Sequence, residues 1–558
     1  PDAVGNITVE GEYEVGMQDQ AFLGTESGIA FPSADGGVDL HISTQWLHSD
    51  RDQVASALNL PEDLVRVTLA GVGGAFGGRE DVSMHVHLCM LALHTGRPVK
   101  MVYDRNESFL GHVHRHPAKI WFRHSADESG ALVKVEAKVI LDGGAYASTT
   151  SAVLANACCF SVGPYRVPNA LIEGWGVRTN NPPCGAMRGF GNVQTCFAAE
   201  AQMDKLAKAL SLDPVEFRLL NALETGDILI TGQEITGTAP VKEVLTSLAE
   251  YPLPEPTKGG LLDLPGGTGR TTDKSHVKRG VGYAASIKNL MFSEGFDDFS
   301  EARCIVDDGE VLIKSACVEV GQGFVTLVGQ IVEETLGISD ITILPVDTSI
   351  GSAGSTSASR QTWMSGGAVL KACEAVVDAL LLDLSSENGV AYDKSGLNLV
   401  SKDGSHSIDI SAALRGRNYD EHVTHRHKRT FPLDHNGQGN AHVSFAFAAH
   451  RAVVDVDEEL GLVRVVEIAT SQDVGRVLNP VQARGQIEGG IAQGLGLALL
   501  EDLVLDNGKI VNANFTDYLL PTSMDTPPIK IASLIEQSEP GAPFGAKGIG
   551  EPPVISST

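Results

Sequence analysis

Two glutamates close off glycine-rich stretches, Glu80 in Gly-Gly-Ala-Phe-Gly-Gly-Arg-Glu80 and Glu551 in Gly-Ile-Gly-Glu-Pro-Pro553. A carboxylate sheltered in such a setting is a candidate general base. Four more segments set polar or aromatic side chains beside glycines or small residues. They are Met-Arg-Gly-Phe-Gly191, Glu-Val-Gly-Gln-Gly323, Thr-Ser-Ala-Ser-Arg-Gln361 and Gly-Gln-Ile-Glu-Gly-Gly490. Glycine is needed where φ is positive or where backbone must approach something closely. Singly, each segment reads as an ordinary turn. Together, the six suggest one large ligand gripped mainly by main-chain groups.

Competing chemistries fail on spacing. A dinucleotide loop G-x-G-x-x-G would need glycine at positions 71, 73 and 76, and position 76 is Phe. There is no G-x-x-x-x-G-K-[ST], no H-E-x-x-H and no G-x-S-x-G, which argues against phosphate-loop, zinc-protease and serine-hydrolase chemistry. His422, His425 and His427 have a spacing that metals use, but Arg426, Lys428 and Arg429 would repel a cation. The stretch 403–440 therefore reads as a solvated polar loop.

The elements that must position these groups are legible in part. Strands are expected around Leu64–Leu69, Val133–Leu141 and Val463–Ala469, where β-branched residues alternate or run together. Helices are expected over Asp81–Thr95, stopped by Gly96, over Val193–Leu210, and from Asp213-Pro-Val-Glu216, a capped start with Pro in the first turn. Phe324–Leu336, stopped by Gly337, and Gly366–Leu384 complete the set. Without a regular βαβ period the class is α+β. The Pro/Gly-rich stretch 252–280 marks a linker between lobes 1–251 and 281–558.

A chain of 558 residues can bury a sizeable site. Lys and Arg number 42 against 70 Asp and Glu, so the net charge is −28 and nucleic acid is a poor partner. No apolar run approaches the ~20 residues of a membrane span. Eight cysteines without a C-x-x-C pair suit a reducing, cytoplasmic compartment.

The six segments occur in the order found in the molybdenum-binding subunits of the xanthine dehydrogenase/aldehyde oxidase family, and the resemblance spans essentially the whole chain. Its wording is most similar to the separate molybdopterin subunit of bacterial xanthine dehydrogenases, the D subunit. The resemblance implies a two-lobed subunit holding molybdenum through a pterin dithiolene, with a cytosine dinucleotide form of the pterin left open. It implies an iron–sulfur partner subunit with [2Fe–2S] clusters and an FAD partner subunit, joined as a dimer of heterotrimers. A start at Pro1 and a stop at Thr558 suggest a portion of a longer product.

Residue by residue, Glu551 matches the family's catalytic base and Gln18, in Gly-Met-Gln-Asp-Gln, the glutamine that hydrogen-bonds a molybdenum oxygen. Arg188 matches a residue beside the metal. Glu80, Phe190 and Phe292 match groups that bind a flat heterocycle, while Asn156 falls where animal members carry a substrate-binding arginine. Phe76, Gly77, Gln322, Gly323, Ala358, Ser359, Arg360 and Gln486 match segments around the cofactor. The implied reaction is hydroxylation of a purine such as hypoxanthine or xanthine. Oxidation of another N-heteroaromatic compound or an aldehyde is the alternative, and an inactive cofactor-carrying scaffold is the reading from another class.

Overall fold

The computed structural model describes residues 3–558 apart from 4, 258–259, 261–262 and 271–272, so the expected linker lies partly outside the described residues. Four four-stranded sheets carry the architecture. In the first, Ile7–Val15 pairs with Ala118–Ala126, which pairs with Leu132–Gly144, which runs parallel to Ala170–Arg178. In the second, Val65–Leu69, Val38–Ile42, Ser27–Pro32 and Val99–Val102 lie side by side. The third orders Ile341–Ile343, Glu310–Ser315, Phe299–Asp307 and Asn418–Arg426. The fourth orders Ile529–Ile535, Leu462–Asp473, Ser444–Asp457 and Val277–Leu290. Mixed sheets with helices packed on them agree with the α+β class.

Local sequence explains the helices that matter. Asp213 caps Pro214–Asn221 by accepting from the N–H groups of Val215 and Glu216. Phe324–Leu336 runs between Gly323 and Gly337, both with positive φ. Met364–Asn388 packs along Phe299–Asp307 and Asn418–Arg426. Asn192–Leu210 lies on Ala118–Ala126 and Ile7–Val15.

Two expectations need correction. The helix expected from Asp81 begins at His85, because residues 77–84 form turns that hold Glu80 in place. Within 403–440 lies the nine-residue strand Asn418–Arg426, an edge strand. Its polar residues alternate outward, and His425 turns inward onto Met364–Asn388. His422 pairs with Glu301 at 2.8 Å, and no metal-like cluster forms from the three histidines among the described residues.

Hydrophobic packing does not follow chain order. One core joins the second and third sheets, combining Leu40, Val67 and Leu88 with Ile313, Val369 and Leu380. The other joins the first and fourth, combining Phe122, Val139 and Leu206 with Ile287, Phe447 and Ala469. Both cores thus draw on residues from either side of 252–280. The eight cysteines are free, and all but the half-buried Cys158 are buried.

Candidate active site

A cavity of about 790 Å³ opens where these cores meet, within the usual span for small-molecule sites. Its wall is built from segments 45–80, 149–190, 288–296, 320–330, 356–362, 474–489 and 546–551. Chains that converge so tightly must bend sharply. Phe76, Phe190, Met291, Glu294, Ala358 and Ser359 all hold left-handed φ of +47° to +68°. They are half of the twelve non-glycine residues with positive φ among the described residues, and all six line the cavity. Strain of this kind gathers where a ligand must be gripped. Gly77, at φ +109°, shows the crowding, since a Cβ there would stand 2.5 Å from the Ala186 carbonyl oxygen.

Glu551 immediately precedes the short helix Pro552–Ile555 at the cavity wall and is 7% exposed. Its main-chain N–H donates to Ser359 Oγ at 3.0 Å, and that hydroxyl donates to Glu551 Oε2 at 3.1 Å. Glu80 lies across the same cavity and accepts from Ser355 Oγ at 3.0 Å. Burial pushes the Glu80 carboxyl up to about 7, against the pull of Ser357 and Ser355 and with Asp81 and Glu551 adding to it. Glu80 therefore exchanges its proton near neutrality.

Aromatic groups form the apolar part of the wall. Phe292 stacks on Trp46 with centroids 5.7 Å apart and meets Phe296 edge-on at 5.1 Å. Phe190 is half-buried in the same cavity, and Phe76 is 38% exposed at it. Asn156 is buried, its Nδ2 donating to Ala152 O and its Oδ1 accepting from Lys288.

Gln18 is not among the lining residues. It lies fully buried behind the wall, accepting from Arg115 Nε at 2.9 Å and donating to Gln493 O and Glu501 Oε2 at 3.1 Å. Asp19 beside it joins His112 at 2.8 Å and His114 at 3.0 Å, hydrogen-bond distances rather than the separations of ligands around an ion. Among the glutamines that do line the cavity, Gln45 stands beside the Phe76–Gly77 turn. Its Oε1 accepts from the N–H groups of Gly77 and Arg79, and its Nε2 donates to Thr356 O. A polar Ser43-Thr44-Gln45 directly after a buried strand was the signal for it.

Both expected arginines line the cavity, but their donors are largely spent. Arg188 donates to Gly550 O, to Gln493 Oε1 at 3.2 Å and to Gln486 O at 2.9 Å, so it ties the Pro480–Leu499 helix to the loop that carries Glu551. Arg360 is wholly buried, paired with Asp298 and bonded to the carbonyls of Ala353, Ser355 and Phe299. Its guanidinium lies 5.1 Å from the Phe292 ring centroid and buttresses it from behind. Arg360 is a support, not a free anion ligand. Gln322 likewise bonds within its own loop, donating to Val318 O and accepting from Val320 N.

Lys288 is a further lining residue that the motifs did not reveal. It sits on the buried half of Val277–Leu290, a lysine in a run otherwise closed to solvent, which is the only hint its sequence offers. Its Nζ lies 3.8 Å from Glu551 Oε1.

What could fill the rest of the cavity is written in its backbone. Gly321 and Gly485 line it, and a Cβ at either would meet nothing within 4 Å. Each leaves bare main chain facing the space. Gln330 Oε1, in the same wall, is buried without a hydrogen-bond partner. Gly323, Gln486, Ala358 and Ser359 stand beside these positions along the wall. The open space at both glycines and the unpartnered Gln330 Oε1 fit a bulky polar ligand lying close against the main chain, although the Gly321 N–H is already given to Glu319 Oε1 and Gly485 lies within the Pro480–Leu499 helix.

Two models of the molybdopterin cofactor-binding domain match the chain, at residues 3–222 and 267–527. A probable xanthine dehydrogenase D subunit from Bacillus subtilis is 32% identical over 98% of this chain and 72% of its own length. The nicotinate dehydrogenase large molybdopterin subunit of Eubacterium barkeri is 39% identical over 44% of this chain and 58% of its own. The solved aldehyde oxidoreductase of Desulfovibrio gigas superimposes with a TM-score of 0.83 at 26% identity, over 99% of this chain and 58% of that one.

Proposed function

The chain belongs to the molybdenum-binding subunits of the xanthine dehydrogenase/aldehyde oxidase family, and on that premise we propose that it hydroxylates a purine such as hypoxanthine or xanthine at a ring carbon. The reaction takes one oxygen from water and releases two electrons and two protons. The observation that carries the reading is the placing of two carboxyl groups, Glu551 and Glu80, in one cavity with stacked aromatic rings.

The open space beside Gly321 and Gly485 and the unpartnered Gln330 Oε1 fit a molybdopterin, which when bound supplies the two-electron redox chemistry. The segments at Phe76–Gly77, Gln322–Gly323, Ala358–Ser359 and Gln486 would hold it, together with Gln45. Everything else is work for this chain's side chains. Glu551 is the base for the attacking oxygen, with Ser359 fixing Oε2 and leaving Oε1 to take that oxygen's proton. Glu80, its carboxyl pushed up by burial to about 7, can donate to a ring carbonyl when protonated or accept from a ring N–H when ionised. Phe292 and Phe190 select a flat ring by contact area. Arg188 acts by holding the Gly550 end of the Glu551 loop.

The electrons leave to an iron–sulfur subunit and an FAD subunit. The naming of relatives as subunits supports partner subunits in general, and an iron–sulfur subunit, an FAD subunit and a dimer of heterotrimers are the assembly we propose. A cytosine dinucleotide form of the pterin, a cytoplasmic location and the two-lobe division 1–251 and 281–558 belong to the same proposal. Among the described residues no helix is long and apolar enough to cross a membrane.

The test is dye reduction by the purified, metal-assayed complex with hypoxanthine, xanthine and benzaldehyde, for wild type and Glu80→Val. Purine oxidation that falls with Glu80→Val while benzaldehyde turnover persists supports the reading. Absent purine turnover, or purine turnover indifferent to Glu80→Val, overturns it. A fully metallated complex that oxidises nothing would leave only the scaffold.

A further inference from the structure

A lysine buried to 2% exposure inside a catalytic cavity needs a reason. An ammonium carries three N–H donors and no acceptor. Two of those of Lys288 are engaged, by Asn289 Oδ1 at 2.6 Å and Asn156 Oδ1 at 3.1 Å. Neither amide is free to turn away. Asn156 Nδ2 donates to Ala152 O at 3.3 Å and Asn289 Nδ2 to Ser293 Oγ at 3.4 Å, so both oxygens are presented to the lysine. The third N–H has no hydrogen-bond acceptor, since Glu551 Oε1 stands at 3.8 Å, an ion-pair distance too long for a bond.

The charges around the cavity sharpen the point. Arg188 and Arg360 have given most of their donors to carbonyls, Asp298 and Gln493. Among the buried lining cations Lys547 is held by Asp473 and Thr238 O, while Lys288 keeps a donor to spare; Arg476 stands at an exposed part of the wall. Two neutral amides orient it without neutralising it. Burial disfavours its charge while Glu551 and Glu294 sustain it. A buried ammonium lacking one acceptor gains most from a ligand that brings an anionic oxygen.

We infer that Lys288, oriented by Asn156 and Asn289, recognises an anionic oxygen of the substrate, and so selects flat N-heteroaromatic rings that carry a carboxylate or enolate next to the site of attack. The inference rests on the reading of this cavity as the substrate-oxidising site. It narrows that reading to charged rings and disfavours neutral, apolar aldehydes. Lys288 becomes a specificity residue whose ammonium holds the ring's oxygen while Glu551 takes the proton of the attacking oxygen.

The experiment uses nicotinate and nicotinamide, rings of nearly one shape that differ by a negative charge. Dissociation constants of the purified holo-complex are measured by equilibrium binding for both probes, with wild type, Lys288→Gln, Lys288→Met and Asn156→Asp. Wild type is expected to prefer nicotinate at least about tenfold, the scale of one charge-assisted hydrogen bond. Lys288→Gln and Lys288→Met should bind the two probes alike. Asn156→Asp, which keeps the lysine but places a carboxylate on it, should also lose the preference, so the answer survives if a lysine variant fails to fold. Equal binding of the two probes by wild type, or equal weakening of both in the variants, overturns the inference. A metal-replete wild type that oxidises neither hypoxanthine nor xanthine yet keeps the charge preference defeats the purine reading and leaves this one standing.

Discussion

Ser359 grips Glu551 from two directions, through its main-chain N–H and its carboxylate, on a backbone bent into the left-handed region. A base held this firmly should be intolerant of change. Glu551→Gln keeps the shape and removes the base, so turnover should fall by at least ~10²-fold with molybdenum content unchanged; steady-state assay with metal analysis checks it. Glu80 gives a prediction of opposite kind. Its carboxyl is raised from an ordinary 4.5 to about 7, so the fold favours the protonated form. That contribution is complete below pH 4.5 and is lost as pH rises through 7. Glu80→Gln, which mimics the protonated state, should therefore raise the melting temperature at pH 8 and change it little at pH 4.5. Glu80, Glu551, Phe76 and Phe190 were legible because each sits inside a glycine-marked segment that the cavity requires, whereas Phe292 was reached only through the family resemblance. Gln18 and Gln45 could not be told apart that way, because burial behind a wall and exposure in it leave the same residue type in the sequence. Lys288 was hidden by its strand, where nothing but its charge is unusual.

Loops and helices carry the next level. The turn around Gly77 crosses the chain at Ala186–Met187 so closely that any side chain must push one of them away. Gly77→Ala should separate Phe76 and Glu80 from Arg188 and lower molybdenum content and turnover together, which metal analysis of the purified complex would report. Asp213, far from the cavity lining, is the contrasting case. Asp213→Ala removes a helix cap that accepts two N–H groups and should cost about 1 kcal/mol of stability, measured by denaturant titration, with turnover retained. Helix ends of this kind were readable from the sequence since caps are local chemistry. The strand Asn418–Arg426 was not. An edge strand buries little of itself, and its exposed positions carry Asn, Asp, His, Thr and Arg, the composition of a loop.

At the scale of the whole molecule, two cores each stitched from both halves of the chain make the cavity a seam rather than a hinge. Residues 1–251 and 281–558 expressed separately should each fail to give a cooperative unfolding transition, and should recover one only when produced together; calorimetry of the single and mixed products decides it. The amphipathic patterns visible in the sequence identified which residues are buried, but not which partner buries them, because an apolar face is satisfied equally by a neighbour in sequence and by one ~300 residues away. Five of the free cysteines, Cys89, Cys304, Cys317 and Cys373 in one core and Cys159 in the other, make that arrangement countable. Burial pushes the Cys89 thiol up to about 12 and the Cys158 thiol up to about 11, so little of either exists as the reactive thiolate near neutrality. Cys89 belongs to one core and Cys159 to the other. An alkylating reagent added to the intact protein would thus act as a stopwatch for its breathing, stamping each core at the moment it opens, and mass spectrometry would read whether the two part company together or in turn.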